Sequence, residues 1–238
     1  METAITIKNL LSQDNIKKRF IEILGQKAQG FISSIINIVN SSDQLKKSDS
    51  QSILNAAVIA ATLDLPIDTN LGFAAIIPYN CKVKDKNGKD MWLMKAQFQI
   101  MYKGFVQLAQ RSGQFKTLNA CPIYEGELIS ENRLTGEYDF DFASKKSEVI
   151  IGYAAYFKLI NGFEKTIYWD INKVDAHGKR FSKSYQKNFG LWKDDFESMA
   201  IKTVLKYILS KFAPLSIDMQ KAVKFDQSVV NENEITEG

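Results

Sequence analysis

Residues 71–113, LGFAAIIPYNCKVKDKNGKDMWLMKAQFQIMYKGFVQLAQRSG, change their pattern twice. GFAAIIPYN and MWLMKAQFQI read as strands flanking Lys86-Asn87-Gly88-Lys89, where Asn-Gly supplies the positive φ angles of a tight hairpin turn. From Met101 the period lengthens. Met101, Phe105 and Leu108 stand at i, i+4 and i+7, an apolar helical stripe, while Lys103, Gln107, Gln110 and Arg111 fall on a separate cationic face. Gly113 stands where a glycine closes a helix. A hairpin running directly into a helix implies antiparallel pairing rather than βαβ units.

Upstream of this stretch the pattern is helical. Asp14 can cap NIKKRFIEILG, in which Ile16, Phe20 and Ile23 share a face and Gly25 is the stop. FISSIINIVN follows; then Ser48 and Gln51 have capping-box spacing before ILNAAVIAATL, which ends ahead of Pro66. Downstream, SEVIIGYAAYFKLI and FEKTIYWD meet at a second Asn-Gly turn, Asn161-Gly162. A last long helix, FGLWKDDFESMAIKTVLKYILSKFA, stops at Pro214. The predicted class is α+β: an antiparallel sheet with hairpins packed against helices, preceded by N-terminal helices.

Composition narrows the function. The 238 residues are 45% hydrophobic and 24% charged, an ordinary globular balance. No stretch approaches the roughly 18–20 apolar residues of a membrane span, and Met1–Leu11 lacks the basic start and apolar middle of a secretion signal. A soluble, intracellular protein is expected. Two cysteines, Cys81 and Cys121, and one histidine, His177, do not make a disulfide framework or a zinc site. The net charge of +4 hides a more basic body, because residues 226–238 carry Asp226, Glu232, Glu234 and Glu237 and no Lys or Arg, leaving residues 1–225 at +8. A basic body with an acidic tail suits a nucleic-acid binder, the tail competing for the basic surface.

Catalytic signals are weak. Gly25 to Gly30 is the nearest approach to a phosphate-binding loop, but Phe31 stands where a lysine is required, and no G-x-G-x-x-G occurs. ATP-driven chemistry is therefore not expected. A nucleophilic triad would have to use His177, in the basic stretch DAHGKRFSK, where a solvated or phosphate-facing histidine is the simpler reading. Asp139/Asp141 and Asp194/Asp195 are the carboxylate pairs a metal-dependent nuclease would need. The first pair reads as the wet face of a strand, the second as acids in the first turn of the last helix.

Binding signals are stronger. Gln97 and Gln99 share one strand face and offer uncharged hydrogen bonds to sugar and phosphate. On the last helix Phe196, Met199, Thr203 and Tyr207 form one stripe, with Lys202 and Lys206 on its neighbour. HGKRFSKSYQKNFGLWK, read as a loop, interleaves lysines that neutralise phosphates with rings that stack bases. A plain surface helix and a loop whose rings dock into the core would show the same patterns.

AQFQIMYKGFVQLAQRSGQFKTLNACPIYEGE resembles the central signature of the RecT family of phage and prophage recombinases, with its Gln-rich strand, Tyr-Lys-Gly and Ala-x-Arg-Ser-Gly. The upstream ILNAAVIAATLDLPIDTNLGFAAIIPYN is similar to the helix and strand before that signature. Downstream, IIGYAAYFKLINGFEKTIYWD and WKDDFESMAIKTVLKYILSKFAPLS resemble its later hairpin, Met-Ala-x-Lys-Thr and Pro-x-Ser landmarks. The resemblance runs from Ser48 to Ser216, which divides the chain into an N-terminal helical region (1–47) for protomer contacts, a DNA-binding and annealing core (48–216) and an acidic polar tail (217–238) expected to be flexible. It implies ATP-independent binding of single-stranded DNA and annealing of complementary strands, without enzymatic chemistry, by a homo-oligomeric filament or ring. The setting implied is the cytoplasm of a bacterial host, beside a phage exonuclease. No cofactor is implied beyond a divalent cation accompanying the DNA. Carried onto this chain, the implied DNA-binding residues are Gln97, Gln99, Tyr102, Lys103, Arg111, Trp192, Lys202, Thr203 and Lys206, with Gly104 and Gly113 structural. The alternatives are a strand-coating protein that does not anneal and, further off, the nuclease.

Overall fold

Caps and apolar spacing explain why the chain begins as helices. The protein, seen here as a computed structural model, is described over residues 6–84, 88–214, 216 and 220–225. Thr6 accepts from the Asn9 amide to open α1 (Ile7–Ser12). In α2 (Asp14–Leu24) Gln13, not Asp14, holds the cap position; Asp14 sits in the first turn and Gly25 ends the helix at φ 56°. α3 (Ala28–Ser41) buries Ala28, Ile32, Ile35 and Val39, one helical stripe. After the short α4 (Asp43–Lys46), Asp49 rather than Ser48 caps α5 (Ser50–Thr62), its carboxylate accepting from the Ser52 amide at 2.7 Å. The expected capping box does not form: Asp49 holds the cap position, and the Ser48 hydroxyl donates to the Gln44 carbonyl.

α5 is buried nearly all round, through Ile53, Leu54, Ala56, Ala57, Val58, Ala60 and Ala61. α1 and α2 pack on it, and so does the hairpin of β1 (Ala74–Lys84) and β2 (Asp90–Ile100). The strands pair antiparallel from Ala74 opposite Ile100 to Lys84 opposite Asp90. Lys86 and Asn87 of the predicted turn lie outside the described residues. Asp49 donates to the Met94 carbonyl, and the Ser52 hydroxyl accepts from the Ala96 amide, each at 2.8 Å, so the start of α5 is fastened to β2. These elements form one compact unit that runs to Gly104 and resumes at Lys224; the other unit is Phe105–Val223. α5 is core to both the N-terminal helices and the hairpin, which is why both fall in the same compact unit.

α6 (Tyr102–Arg111) spans that division, burying Phe105, Leu108 and Ala109. Gly113 follows at φ 66° and donates to the Gln110 carbonyl, the predicted helix stop. In the second unit β3 (Phe115–Tyr124), β6 (Ile150–Leu159) and β7 (Glu164–Asp170) form an antiparallel sheet in the order β3-β6-β7. β4 (Leu128–Asn132) and β5 (Glu137–Phe140) form a separate hairpin. The Asn161-Gly162 turn forms as predicted, with Gly162 donating to the Leu159 carbonyl. Together the two units make the expected α+β class.

Two expectations about the C-terminal third need correction. The stretch read as a loop is mostly helix: α7 (Ile171–Phe181), capped by Asp170, and α8 (Lys183–Gln186), capped by Ser182. The last helix is not continuous but splits into α9 (Leu191–Asp194) and α10 (Phe196–Phe212), because Asp195 leaves helical geometry (φ −144°, ψ 66°) to cap the Ser198 amide. The core face of α10 is Ala200, Val204, Leu205, Ile208 and Leu209, packed on the sheet; Phe196, Met199, Thr203 and Tyr207 are only half-buried on its flank. Residues 220–225 are helical, with Ala222 and Val223 buried; residues 226–238 lie outside the described residues. Among the described residues no helix is long and apolar enough to cross a membrane.

Candidate nucleic-acid interface

On β2 the alternation is strict at its C-terminal end. Ala96, Phe98 and Ile100 are buried, so Gln97 and Gln99 emerge half-buried on the opposite face. Tyr79, opposite Lys95 in the register, lies on that same face, and the Gln99 amide nitrogen donates to its hydroxyl at 2.6 Å. A short polar strip of Tyr79, Lys95, Gln97 and Gln99 results.

α6 begins one residue after β2, which places Tyr102, half-buried, and Lys103, exposed, beside that strand's end. A Cβ on Gly72 would stand 3.5 Å from Lys103 Cδ, so the lysine's methylenes run along that glycine. Gly104 is structural as expected: a Cβ there would collide with the Phe73 carbonyl oxygen and stand 2.7 Å from Ile100 Cγ1. Arg111 is exposed two turns further along the helix from Lys103. Gln107, expected on the polar face, instead has its Oε1 buried with no hydrogen-bond partner among the described residues.

α10 carries Lys202 and Lys206, both half-buried, on one stripe. The Thr203 hydroxyl donates back to the Met199 carbonyl at 2.7 Å. Beside Lys206 lies a cluster that sequence reasoning only partly found. Lys173 Nζ sits 4.7 Å above the Trp169 ring, whose other neighbours are Tyr207 (4.8 Å between ring centres) and His177 (5.3 Å). His177 also meets Phe181 at 4.6 Å, and the Arg180 guanidinium lies 5.2 Å from the Phe181 ring. Burial first, then the nearby Lys206 and Arg180 charges, hold the His177 imidazole below its ordinary range. The histidine is half-buried rather than solvated. Lys173, His177 and Arg180 follow i, i+4, i+7 spacing; that signal was present in the sequence but was hidden by reading the segment as a loop.

Trp192 differs from the other candidates. It is 8% exposed, stacked on Tyr185 at 5.7 Å and edge-on to Phe196 at 5.7 Å. Gly178 of α7 lies against it, and a Cβ there would stand 2.7 Å from the indole. Tyr185 is itself anchored, its hydroxyl donating to Asp175 at 2.6 Å. The ring pins α7, α8, α9 and α10 together and has no face left for a base.

The carboxylates have local duties. Asp139 accepts from the Ser130 hydroxyl, Asp141 caps the turn at Phe142–Ser144 and Asp195 caps α10. Among the described residues no group of three His, Cys, Asp or Glu gathers as metal ligands.

The model of the RecT family matches residues 29–237. This chain belongs to the RecT family. The match reaches beyond Ser48–Ser216 at both ends, taking in most of α3. Among relatives, the YqaK protein of Bacillus subtilis (strain 168) is 51% identical over 218 residues, covering 92% of this chain and 71% of that protein. Protein RecT of Escherichia coli (strain K12) is 29% identical over 192 residues, 75% of this chain and 64% of that protein, so the chain spans slightly under two thirds of the latter. RecT-family membership carries a role in DNA recombination through single-strand binding and annealing.

Proposed function

We propose that this RecT-family chain binds single-stranded DNA without sequence preference and anneals it to a complementary strand without ATP. The observation that carries the reading is the cluster on α7, β7 and α10. Lys173, Arg180 and Lys206 interleave with Trp169, His177, Phe181 and Tyr207, and Phe181 keeps 48% of its surface exposed. Cations neutralise phosphates and an exposed ring stacks a base, which is how single strands are held irrespective of sequence. Lys103, Arg111 and Lys202 add positive charge, while Gln97 and Gln99 supply neutral hydrogen bonds.

In this reading the protein makes and breaks no covalent bond. It screens the first strand's charge, and pairing and stacking with the second, about 1.4 kcal/mol per step, supply the driving free energy. The missing phosphate-binding loop fits that scheme. Protomers repeated along the strand, in contact through their N-terminal helices, would bind cooperatively and with steep salt dependence. A partner exonuclease in the host cytoplasm would supply the single strands.

The test mixes complementary oligonucleotides, one fluorophore-labelled and one quencher-labelled, with the protein and no nucleotide. Pairing faster than the protein-free rate is expected. A strict need for hydrolysable ATP would overturn the proposal; binding without faster pairing would leave a strand-coating protein.

A further inference from the structure

The β1–β2 hairpin outruns the helix that covers it. Its base is sealed: Ala74, Ala75, Ile76, Ala96, Phe98 and Ile100 are each no more than 5% exposed. Beyond Met94, among the described residues the furthest point on β2 hydrogen-bonded to the start of α5, the ribbon continues through Lys82–Lys84 and Asp90–Leu93, where Met91 is 44% and Trp92 65% exposed. An uncovered two-stranded ribbon is marginal in water, and a tryptophan normally buries about 150–250 Å². Both facts point to a ligand that covers this arm.

Charge selects the ligand. Among the described residues of the arm the cations are Lys82, Lys84, Lys89 and Lys95 and the sole acid is Asp90. Trp92 lies directly opposite Lys82 in the register, so ring and ammonium emerge side by side on one face. Lys82 is held there by Asp90 at 2.5 Å, with both side chains at least half exposed. Such an exposed pair contributes little stability, so a phosphate can displace the carboxylate readily. A second copy of this chain, with +8 on residues 1–225, is a poor match for a cationic arm; a polyanion with stacking bases is a good one.

We infer that the arm is a second single-strand contact, in which Trp92 stacks on a base and Lys82 and Lys84 meet the flanking phosphates. The inference rests on the single-strand reading above for its ligand class, and it adds a site that none of the α6 or α10 residues supplies.

The chain has three tryptophans, and Trp169 and Trp192 are only 6% and 8% exposed, so acrylamide quenching of intrinsic emission reports mainly on Trp92. With the full-length protein and oligo-dT as the probe, emission should fall and acrylamide access should be lost on binding. Trp92→Ala should weaken binding about tenfold, a typical cost of losing one stacked base. The slope of log affinity against log salt should not change, because no phosphate contact is removed. Trp92→Phe should restore affinity to within about twofold while abolishing the emission change, and melting temperatures should stay level because the ring is exposed.

Wild-type protein that binds oligo-dT with unchanged quenching, or a Trp92→Ala variant that binds as tightly as wild type, overturns the inference. Protection from acrylamide that rises with protein concentration in the absence of DNA would assign the arm to a contact between copies and overturn it too. Complete failure of wild type to bind oligo-dT would refute the proposed function itself, a different result from a binding-competent protein with an idle arm.

Discussion

Removing the Trp192 ring should destabilise the C-terminal unit without touching DNA binding by the molecules that remain folded. The ring is 8% exposed and wedged between Gly178, Tyr185 and Phe196. Trp192→Ala loses that burial and leaves a cavity, at a cost of about 3–5 kcal/mol. For a chain of this size that corresponds to a fall in melting temperature of roughly 10 °C. Gly178→Ala offers a sharper test. In the helix interior alanine is favoured over glycine by about 1 kcal/mol. The new Cβ, however, would stand 2.7 Å from a ring that Tyr185 and Phe196 hold on its other sides. Overpacking of this kind costs about 1–3 kcal/mol, so the single variant should be modestly destabilised. In the Trp192→Ala background the clash is gone and the same substitution should stabilise by about 1 kcal/mol. Denaturant unfolding of the four proteins reads the coupling, and oligo-dT titration below the transition reads affinity. A Gly178→Ala effect of the same sign in both backgrounds, or a Trp192→Ala protein that melts normally but has lost DNA, would refute the argument and return Trp192 to the binding surface.

Lys206→Ala and Arg180→Ala should each weaken oligo-dT binding for all sequences alike and flatten the salt slope by roughly 0.7 unit, as one lost phosphate contact on a single strand requires; binding across a salt series checks this, and unchanged slopes would remove both residues from the interface. His177 is held below its ordinary range, so the unfolded chain binds the extra proton first as pH falls. Native stability should accordingly decline as pH drops from 7 through about 6.5 and below, and His177→Gln should flatten that decline in thermal melts. Because a phosphate beside Lys206 and Arg180 would favour the protonated ring, wild-type affinity for oligo-dT should rise over the same interval, and a flat pH profile would separate His177 from the ligand.

Local features were legible in the sequence because local chemistry makes them. Asn161-Gly162 turns a hairpin, Gly113 stops α6 with a positive φ, and the alternation around Phe98 puts Gln97 and Gln99 on the face away from the core. Gly104 belongs with them, although its reason, the Phe73 carbonyl, is visible only in space. The ordered landmarks from the Gln-rich strand to Met-Ala-x-Lys-Thr likewise sufficed to point to the family, since their spacing survives without coordinates.

Tertiary packing decided the rest. Nothing near Trp192 in the chain says whether its ring faces solvent; Gly178, fourteen positions earlier in sequence, takes up that face because α7 folds back on α9. Helical spacing defines a face of α10 only up to rotation, and it was the sheet beneath that selected Ala200, Val204 and Ile208 rather than the neighbouring stripe of Met199, Thr203 and Tyr207. The cationic–aromatic cluster draws Trp169 from β7, Lys173, His177 and Arg180 from α7, and Tyr207 and Lys206 from α10. The sequence alone determined which residues could carry charge and rings, while their meeting at one surface depended on long-range burial that no local period encodes.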